Sequence, residues 1–248
     1  MISWVDRLRR KAALWGSEGV DLLFPPRCAW CHRDLEEAGA FCQPCGRELS
    51  ADSHRCLRCG SPGGDGPGCS RCRGRNVDWQ GIAVLGGYGD RLRDAVLRAK
   101  HPAGDELSRA LGQLLVDKHR DTFVSWTLDG VVPVPMHWLR RAARGTSAAH
   151  ELARSVARLL GLPLLTAVSR HKATRMQNEL PVPERRGNVQ GAFRPRCRVD
   201  GRRLLLVDDV MTTGATLAAC RRALVDAGAE AVFVAAVARA DRDVEATE

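Results

Sequence analysis

The sequence predicts an α/β fold in two parts: an open parallel sheet flanked by helices, preceded by a small cysteine-rich module. Three observations carry this expectation. Eight of the ten cysteines fall between Cys28 and Cys72 as four Cys-x-x-Cys pairs. From Gly81 onward, short apolar runs alternate with longer stretches of helical periodicity, the pattern of βα units. One run, Leu204–Val207, is entirely apolar, as expected of a strand covered on both faces of a parallel sheet.

The elements follow in order. Trp4, Val5, Leu8, Ala12 and Trp15 recur at helical spacing, so residues 1–24 read as an amphipathic helix that packs on the body of the protein in preference to a membrane. Leu22-Leu23-Phe24 then meets Pro25-Pro26, which stops regular structure. Residues 25–78 form the cysteine module, and 79–248 the larger domain. Within it, Ile82–Leu85 reads as a strand, and Leu92, Val96 and Ala99 mark one helix face ending before Pro102. A second helix covers roughly 105–118, with Leu107, Leu111, Leu114 and Leu115 inward. Val131–Val134 is a strand stopped by Pro135. Ala149, Leu152, Val156 and Leu159 line a helix that ends at Gly161. Leu204–Val207 follows as a strand, a helix opens at Gly214 with Leu217, Cys220 and Leu224 on one face, and Val232–Val237 is the last strand. The stretch 163–198 fits no compact βα unit. It carries eight Arg/Lys between Arg170 and Arg198, and such excess length reads as a flexible lid or a small subdomain.

Composition bounds the function. The chain of 248 residues is 44% hydrophobic and 27% charged, which excludes wholesale disorder. It has no apolar run long enough for a transmembrane span, and its first residues lack the order of a secretory signal, so the expected compartment is the cytoplasm. The net charge of +9 comes almost wholly from arginine, whose rigid fork suits phosphate. Loading eight thiolates with two zinc ions would lower that charge to about +5, which weakens the bare argument for nucleic acid.

The cysteine pairs are Cys28/Cys31, Cys42/Cys45, Cys56/Cys59 and Cys69/Cys72. Two Cys-x-x-Cys knuckles complete one tetrahedral site of four sulfurs around zinc, so eight ligands imply two structural zincs with no open position for catalysis. A redox role would need one reactive pair on a positioned helix, and an iron–sulfur cluster is the lesser alternative. The spacing allows serial or crossed pairing, and serial is the expectation. With complete cysteine sets, His32 and His54 are expected to face solvent.

The segment from Leu204 to Thr216 carries the strongest chemical signal. An apolar strand delivers Asp208 and Asp209 at its carboxyl end; a turn of Met211, Thr212, Thr213 and Gly214 follows, and Ala215 and Thr216 open a helix. Ligands of open α/β sheets bind at that edge. Turn amides and threonine hydroxyls cradle phosphate there, while the two acids suit hydroxyls or a hydrated cation. A ribose 5-phosphate combines both features. The plainer reading, an acidic helix cap, needs one such residue and not the whole array.

This segment resembles the phosphoribosyl-pyrophosphate (PRPP) signature of type I phosphoribosyltransferases, and the order of other segments narrows the resemblance to the ComF family. Those segments are Leu22-Leu23-Phe24-Pro25 leading into the cysteine module, Tyr88, Leu97 with Lys100, and Val132-Pro133-Val134-Pro135-Met136-His137 with Arg140, Arg144 and Gly145. Arg170, Lys172, Thr174, Gln177, Leu180, Arg185, Asn188, Val189, Gly191, Ala192 and Phe193 continue it. The resemblance implies a type I phosphoribosyltransferase-like sheet behind a double zinc ribbon. It places Asp208 and Asp209 on ribose hydroxyls and Met211 to Thr216 on the 5-phosphate. Mg-pyrophosphate would lie near Val134 and Pro135, with Arg140, Arg144 and Lys100 supplying charge, and Arg170 and Lys172 belong to a hood over the anomeric carbon. Where the family has Phe-Asn-Gln after the glycine, this chain has Thr146-Ser147-Ala148, which either shifts a helix cap or removes a pyrophosphate or acceptor contact.

The expected activity is a Mg-dependent transfer of ribose 5-phosphate from PRPP to an unidentified nucleophilic acceptor, with release of pyrophosphate. The alternative is a non-enzymatic DNA-uptake accessory that binds single-stranded DNA or partner proteins of DNA uptake.

Overall fold

The computed structural model describes residues 26–35, 39–51, 54–64, 68–74, 77–136, 147–171 and 191–241. The expected helix over 1–24 therefore lies outside the described residues. Two compact units divide between Gly46 and Arg47.

The smaller unit holds the first cysteine knuckle, whose second pair stands at the start of α1 (Gln43–Leu49). Its chain is pinned by a bridge between Arg27 and Asp34. The Cys28 N–H donates to the Arg33 carbonyl at 2.8 Å, and the His32 N–H returns to the Cys28 carbonyl at 2.9 Å.

The larger unit begins with the second knuckle, which repeats that pattern. Arg55 bridges Pro62, the Cys56 N–H donates to the Ser61 carbonyl at 2.9 Å, and the Gly60 N–H donates to the Cys56 carbonyl at 2.7 Å. The turn needs a left-handed residue at the same place in each copy: His32 at φ 60° and Gly60 at φ 76°. Glycine adopts that conformation without strain, and at position 60 only glycine also fits, because a Cβ would stand 2.9 Å from the Val84 side chain.

Behind the knuckle lies the α/β body: β1 (Ile82–Gly87), α2 (Asp90–Ala99), α3 (Asp105–Ser125), β2 (Gly130–Pro133), α4 (Ala148–Leu160), β3 (Val168–Arg170), β4 (Phe193–Pro195), β5 (Arg203–Met211), α5 (Ala215–Asp226) and β6 (Ala231–Arg239). The main sheet is all parallel, in the order β1-β6-β5-β2. Its two central strands are buried on both faces: Leu204, Leu205, Leu206 and Val207 have no exposed surface, and neither do Val232, Val234, Ala235 and Ala236. That is why they read as unbroken apolar runs. β3 and β4 form a separate antiparallel pair at the two ends of the arginine-rich stretch, whose residues 172–190 lie outside the described set.

Two elements run well past their expected spans. α3 runs to Ser125, past a kink at His119 (φ −121°, ψ 20°), because Phe123 returns to the core after the kink. Leu114, expected inward, is only half-buried. β5 continues through both aspartates to Met211, because β6 offers pairing partners as far as Arg239 whereas β2 stops pairing at Val207.

α3 and α4 approach closely through small residues. A Cβ on Gly112 would stand 2.8 Å from the Ser155 Cβ, and the Ser155 hydroxyl donates to the Arg109 carbonyl at 2.8 Å. Among the described residues, no helix is long and apolar enough to cross a membrane.

Candidate functional site

The eight clustered cysteines converge as two sets: Cys28, Cys31, Cys42 and Cys45, then Cys56, Cys59, Cys69 and Cys72, with the sulfurs of each set within 4.8 Å of one another. Serial grouping is thus the observed one. Measured sulfur–sulfur distances are 3.7 Å for Cys31–Cys42, 3.8 Å for Cys56–Cys72 and 3.5 Å for Cys59–Cys69. A disulfide would bring sulfurs to about 2 Å. The edge of a tetrahedron whose zinc–sulfur bonds are about 2.3 Å is about 3.8 Å, so the donor sets fit a tetrahedral metal. His32 and His54 are exposed, outside both sets.

The thiols are electrostatically uneven. Burial opposes the Cys28 thiolate, but the backbone N–H groups of Cys31, Cys42 and Trp30 outweigh it and bring the thiol down to about 6. Cys69 follows the same logic, down to about 7, with hydrogen bonds from Cys59 and from the Cys72 and Arg71 backbone overcoming burial. Burial pushes Cys59 up to about 12 and raises Cys45 and Cys56. A bound dication supplies the charge that lets every sulfur ionise together.

The aspartates lie where β5 has outrun β2. The Asp209 N–H donates to Asp208 Oδ1 at 2.9 Å, and the Val210 N–H donates to Asp209 Oδ1 at 2.7 Å. Asp209 Oδ2 also pairs with Lys100 Nζ at 3.2 Å, both side chains being mostly enclosed. Asp208 keeps some residual surface, but its carboxyl is enclosed. Burial first, and then the neighbouring Asp209 charge, hold it well above the usual carboxylate range. Enclosure thus favours the protonated form of Asp208 while Lys100 offsets the charge of Asp209, and both effects ease the repulsion expected of two free carboxylates.

The turn itself is short and fixed. Met211 is buried and its carbonyl accepts from the Ala240 N–H at 2.8 Å. Gly214 takes φ 76° as the residue before α5, and the Thr213 hydroxyl accepts the Ala215 N–H at 3.3 Å. The N-cap position of α5 is Gly214, which has no side chain to cap with, so neither aspartate caps the helix.

Val134 and Pro135 leave β2 into a cavity of about 180 Å³, whose wall also includes Ser147, His150, Arg170 and Arg196. Arg170 lies over the Phe193 ring at 5.4 Å. Ser147 precedes α4 and accepts backbone bonds from His150 and Glu151 through its carbonyl, which puts the helix start at the departure from the family pattern. Arg140, Arg144 and Lys172 lie outside the described residues. The structure thus brings together Asp208, Asp209 and Lys100 in one place, and Val134, Pro135 and Arg170 in another. Sequence reasoning missed His150, Arg196 and Trp79. The first two had no motif around them, and Trp79 was one tryptophan among six.

An open parallel sheet that carries paired acids and a threonine–glycine turn after a central strand defines a phosphoribosyltransferase-type domain, here following a module of two four-cysteine knuckles. Comparison with known proteins agrees. The phosphoribosyl transferase domain family matches residues 106–247, and the double zinc ribbon domain matches residues 19–73. DNA utilization protein YhgH of Escherichia coli (strain K12) is 32% identical over 219 residues, covering 86% of this chain and 96% of its own. Competence protein F of Haemophilus influenzae is 30% identical over 223 residues, covering 86% and 97%. A purine phosphoribosyltransferase from Pyrococcus horikoshii Ot3 is 21% identical at a TM-score of 0.33, over 52% of this chain and 70% of its own. The chain belongs to the ComF family, whose members join a double zinc ribbon to a phosphoribosyltransferase-type domain.

That membership corrects one expectation. The PRPP signature led to an enzyme, a transferase of the glycosyltransferase class. The relatives that match along nearly their whole length are instead named for DNA utilisation and competence, not for a transfer reaction. A fold and its motif do not fix a reaction, because the same framework can serve binding alone.

Proposed function

We propose that this chain is a non-enzymatic accessory of DNA uptake that binds single-stranded DNA through the face around β3 and β4. One observation carries the reading: relatives that span almost the whole chain are named for DNA utilisation and competence. The geometry supplies a chemistry for it. Arg194 and Arg196 are exposed on and beside β4, and Arg196 shares the cavity of about 180 Å³ at the end of β2 with Arg170, so two guanidinium groups line a space roomy enough for a phosphate.

The test is anisotropy of a labelled single-stranded oligothymidylate across a salt series, with zinc-loaded protein. Affinity should fall with salt, log K against log[salt] having a slope of about −0.7 per phosphate contacted. Arg196→Ala should weaken binding and flatten that slope by about one contact. Binding that stays flat across protein and salt concentration would end the proposal.

A second reading is supported by the aspartate pair and its partner Lys100. The corner from Asp208 to Thr216 suits a ribose 5-phosphate group such as that of Mg-PRPP, held as a ligand without turnover. The diol would face Asp208 and Asp209 and the phosphate would face the turn. Calorimetry with Mg-PRPP tests it directly, and absence of heat in folded, zinc-loaded protein removes it.

A further inference from the structure

We infer that Trp79 is a positioning residue tying the second four-cysteine knuckle to the Thr212–Gly214 turn, so that metal at Cys56, Cys59, Cys69 and Cys72 sets the shape of that turn. Trp79 is 9% exposed and touches both places. Its indole Nε1–H donates at 3.0 Å to the carbonyl of Arg58, a residue inside the Cys56-x-x-Cys59 knuckle. The opposite edge of the ring abuts the turn. A Cβ on Gly214 would stand 3.0 Å from Trp79 Cη2 and 3.2 Å from Met211 Cε. The residue at the left-handed position of the turn is thus walled by the same ring that the knuckle holds.

The knuckle has other anchors on the sheet, which makes it a fixed reference for the ring. The Leu57 carbonyl accepts from the Ile82 N–H at 2.7 Å, at the start of β1. Arg55 donates to the Gly60 carbonyl at 2.8 Å and to Asp241, just past β6, also at 2.8 Å. These residues belong to one compact unit, as do the turn and α5. A cysteine knuckle of this size folds only around its metal, because the backbone path is set by the four metal–sulfur bonds. When the metal leaves, the Arg58 carbonyl loses its fixed place, the indole loses its partner, and the wall behind Gly214 loosens.

The consequence for ligand binding rests on the reading of the turn as a phosphate cradle, whereas the coupling rests on the packing alone. The experiment compares the zinc-loaded full chain with Trp79→Phe and with Cys69→Ser. Readouts are zinc content, amide hydrogen exchange of the turn with α4 as internal reference, and heat of Mg-PRPP binding. Trp79→Phe keeps an aromatic ring and removes the N–H. It should retain two zincs and full α4 protection, while the turn exchanges about three- to tenfold faster, the size of one lost hydrogen bond. Cys69→Ser should accelerate the turn at least as much. It should also shift the Trp79 indole proton resonance, which is assigned by its absence in Trp79→Phe.

Unchanged exchange at the turn in Trp79→Phe overturns the inference, and that variant decides alone if Cys69→Ser does not fold. Coupled exchange in a protein that binds no PRPP keeps the inference and ends the ligand reading. PRPP binding with an indifferent turn does the reverse.

Discussion

Replacing Lys100 by Met tests whether the aspartate corner is held by its ion pair. At the observed 3.2 Å, the attraction between Lys100 and Asp209 is about 5 kcal/mol at an effective dielectric of about 20 and about 1.3 kcal/mol at that of water. The lysine side chain is 30% exposed and the aspartate 22%, so the pair sits between these limits. Desolvation offsets part of the gain, and loss of one partner leaves a carboxylate facing Asp208. A net cost of about 2 kcal/mol follows, above the surface range and below that of a fully buried pair. Urea unfolding of zinc-loaded protein at neutral pH and low salt measures it, in a double-mutant cycle with Asp209→Asn. The cycle should return most of the cost as coupling energy. A coupling below about 0.5 kcal/mol would place the pair among surface contacts of no consequence and refute the picture of a corner held by its ion pair.

Asp208→Asn should remove a pH dependence. The folded protein holds the Asp208 proton well above the ordinary aspartate range, so wild type loses stability as pH rises from that range through the elevated titration. The Asn variant should gain on wild type across the same window, as read from urea midpoints between acid and mildly alkaline pH; parallel curves would contradict the enclosure of the carboxyl. Zinc loading of the metal-free chain at neutral pH should release protons, because Cys45, Cys56 and Cys59 hold theirs against ionisation. Indicator titration in weak buffer checks this, and zero release would deny thiolate ligation. Gly112→Ala should cost about 1–3 kcal/mol in thermal or urea unfolding, because its Cβ meets the Ser155 side chain at 2.8 Å and the Leu152 carbonyl at 3.0 Å. A neutral result would mean that α3 and α4 separate easily.

The parts of the fold that depend on burial were legible. Leu204–Val207 and the Val232–Val237 run declare a two-faced environment by having no polar side, and Leu92, Val96 and Ala99 declare one helix face. What depends on pairing partners was not. The length of β5 is set by β6, so no local pattern foretells that the strand carries its aspartates on to Met211. The continuation of α3 is similar. Lys118 and His119 interrupt its apolar face, yet Lys118 donates to the Leu85 carbonyl at 2.7 Å and the His119 ring bonds the Val84 carbonyl at 3.0 Å, contacts that exist only once β1 lies alongside. The cysteine spacing announced two metal sites but not the repeat within them, because His32 and Gly60 share a conformation and no chemistry. Lys100 was legible only as a positive charge, and its partner proved to be an acid of the corner itself.

That partner bears on why a phosphoribosyltransferase-type corner suits a protein grouped with DNA-utilisation relatives. Transfer at an anomeric carbon asks a site to stabilise positive charge on the sugar and negative charge on the leaving group together, which calls for ionised groups held ready on both sides. Here burial favours the protonated form of Asp208, and Asp209 is already matched to Lys100. Neither arrangement hinders binding. A neutral carboxyl donates a hydrogen bond where a carboxylate would repel phosphate, and a lysine–aspartate pair presents both a donor and an acceptor at no net charge. On the ligand reading proposed above, the same residues serve to seat a sugar phosphate, and calorimetry with Mg-PRPP is the measurement that checks it.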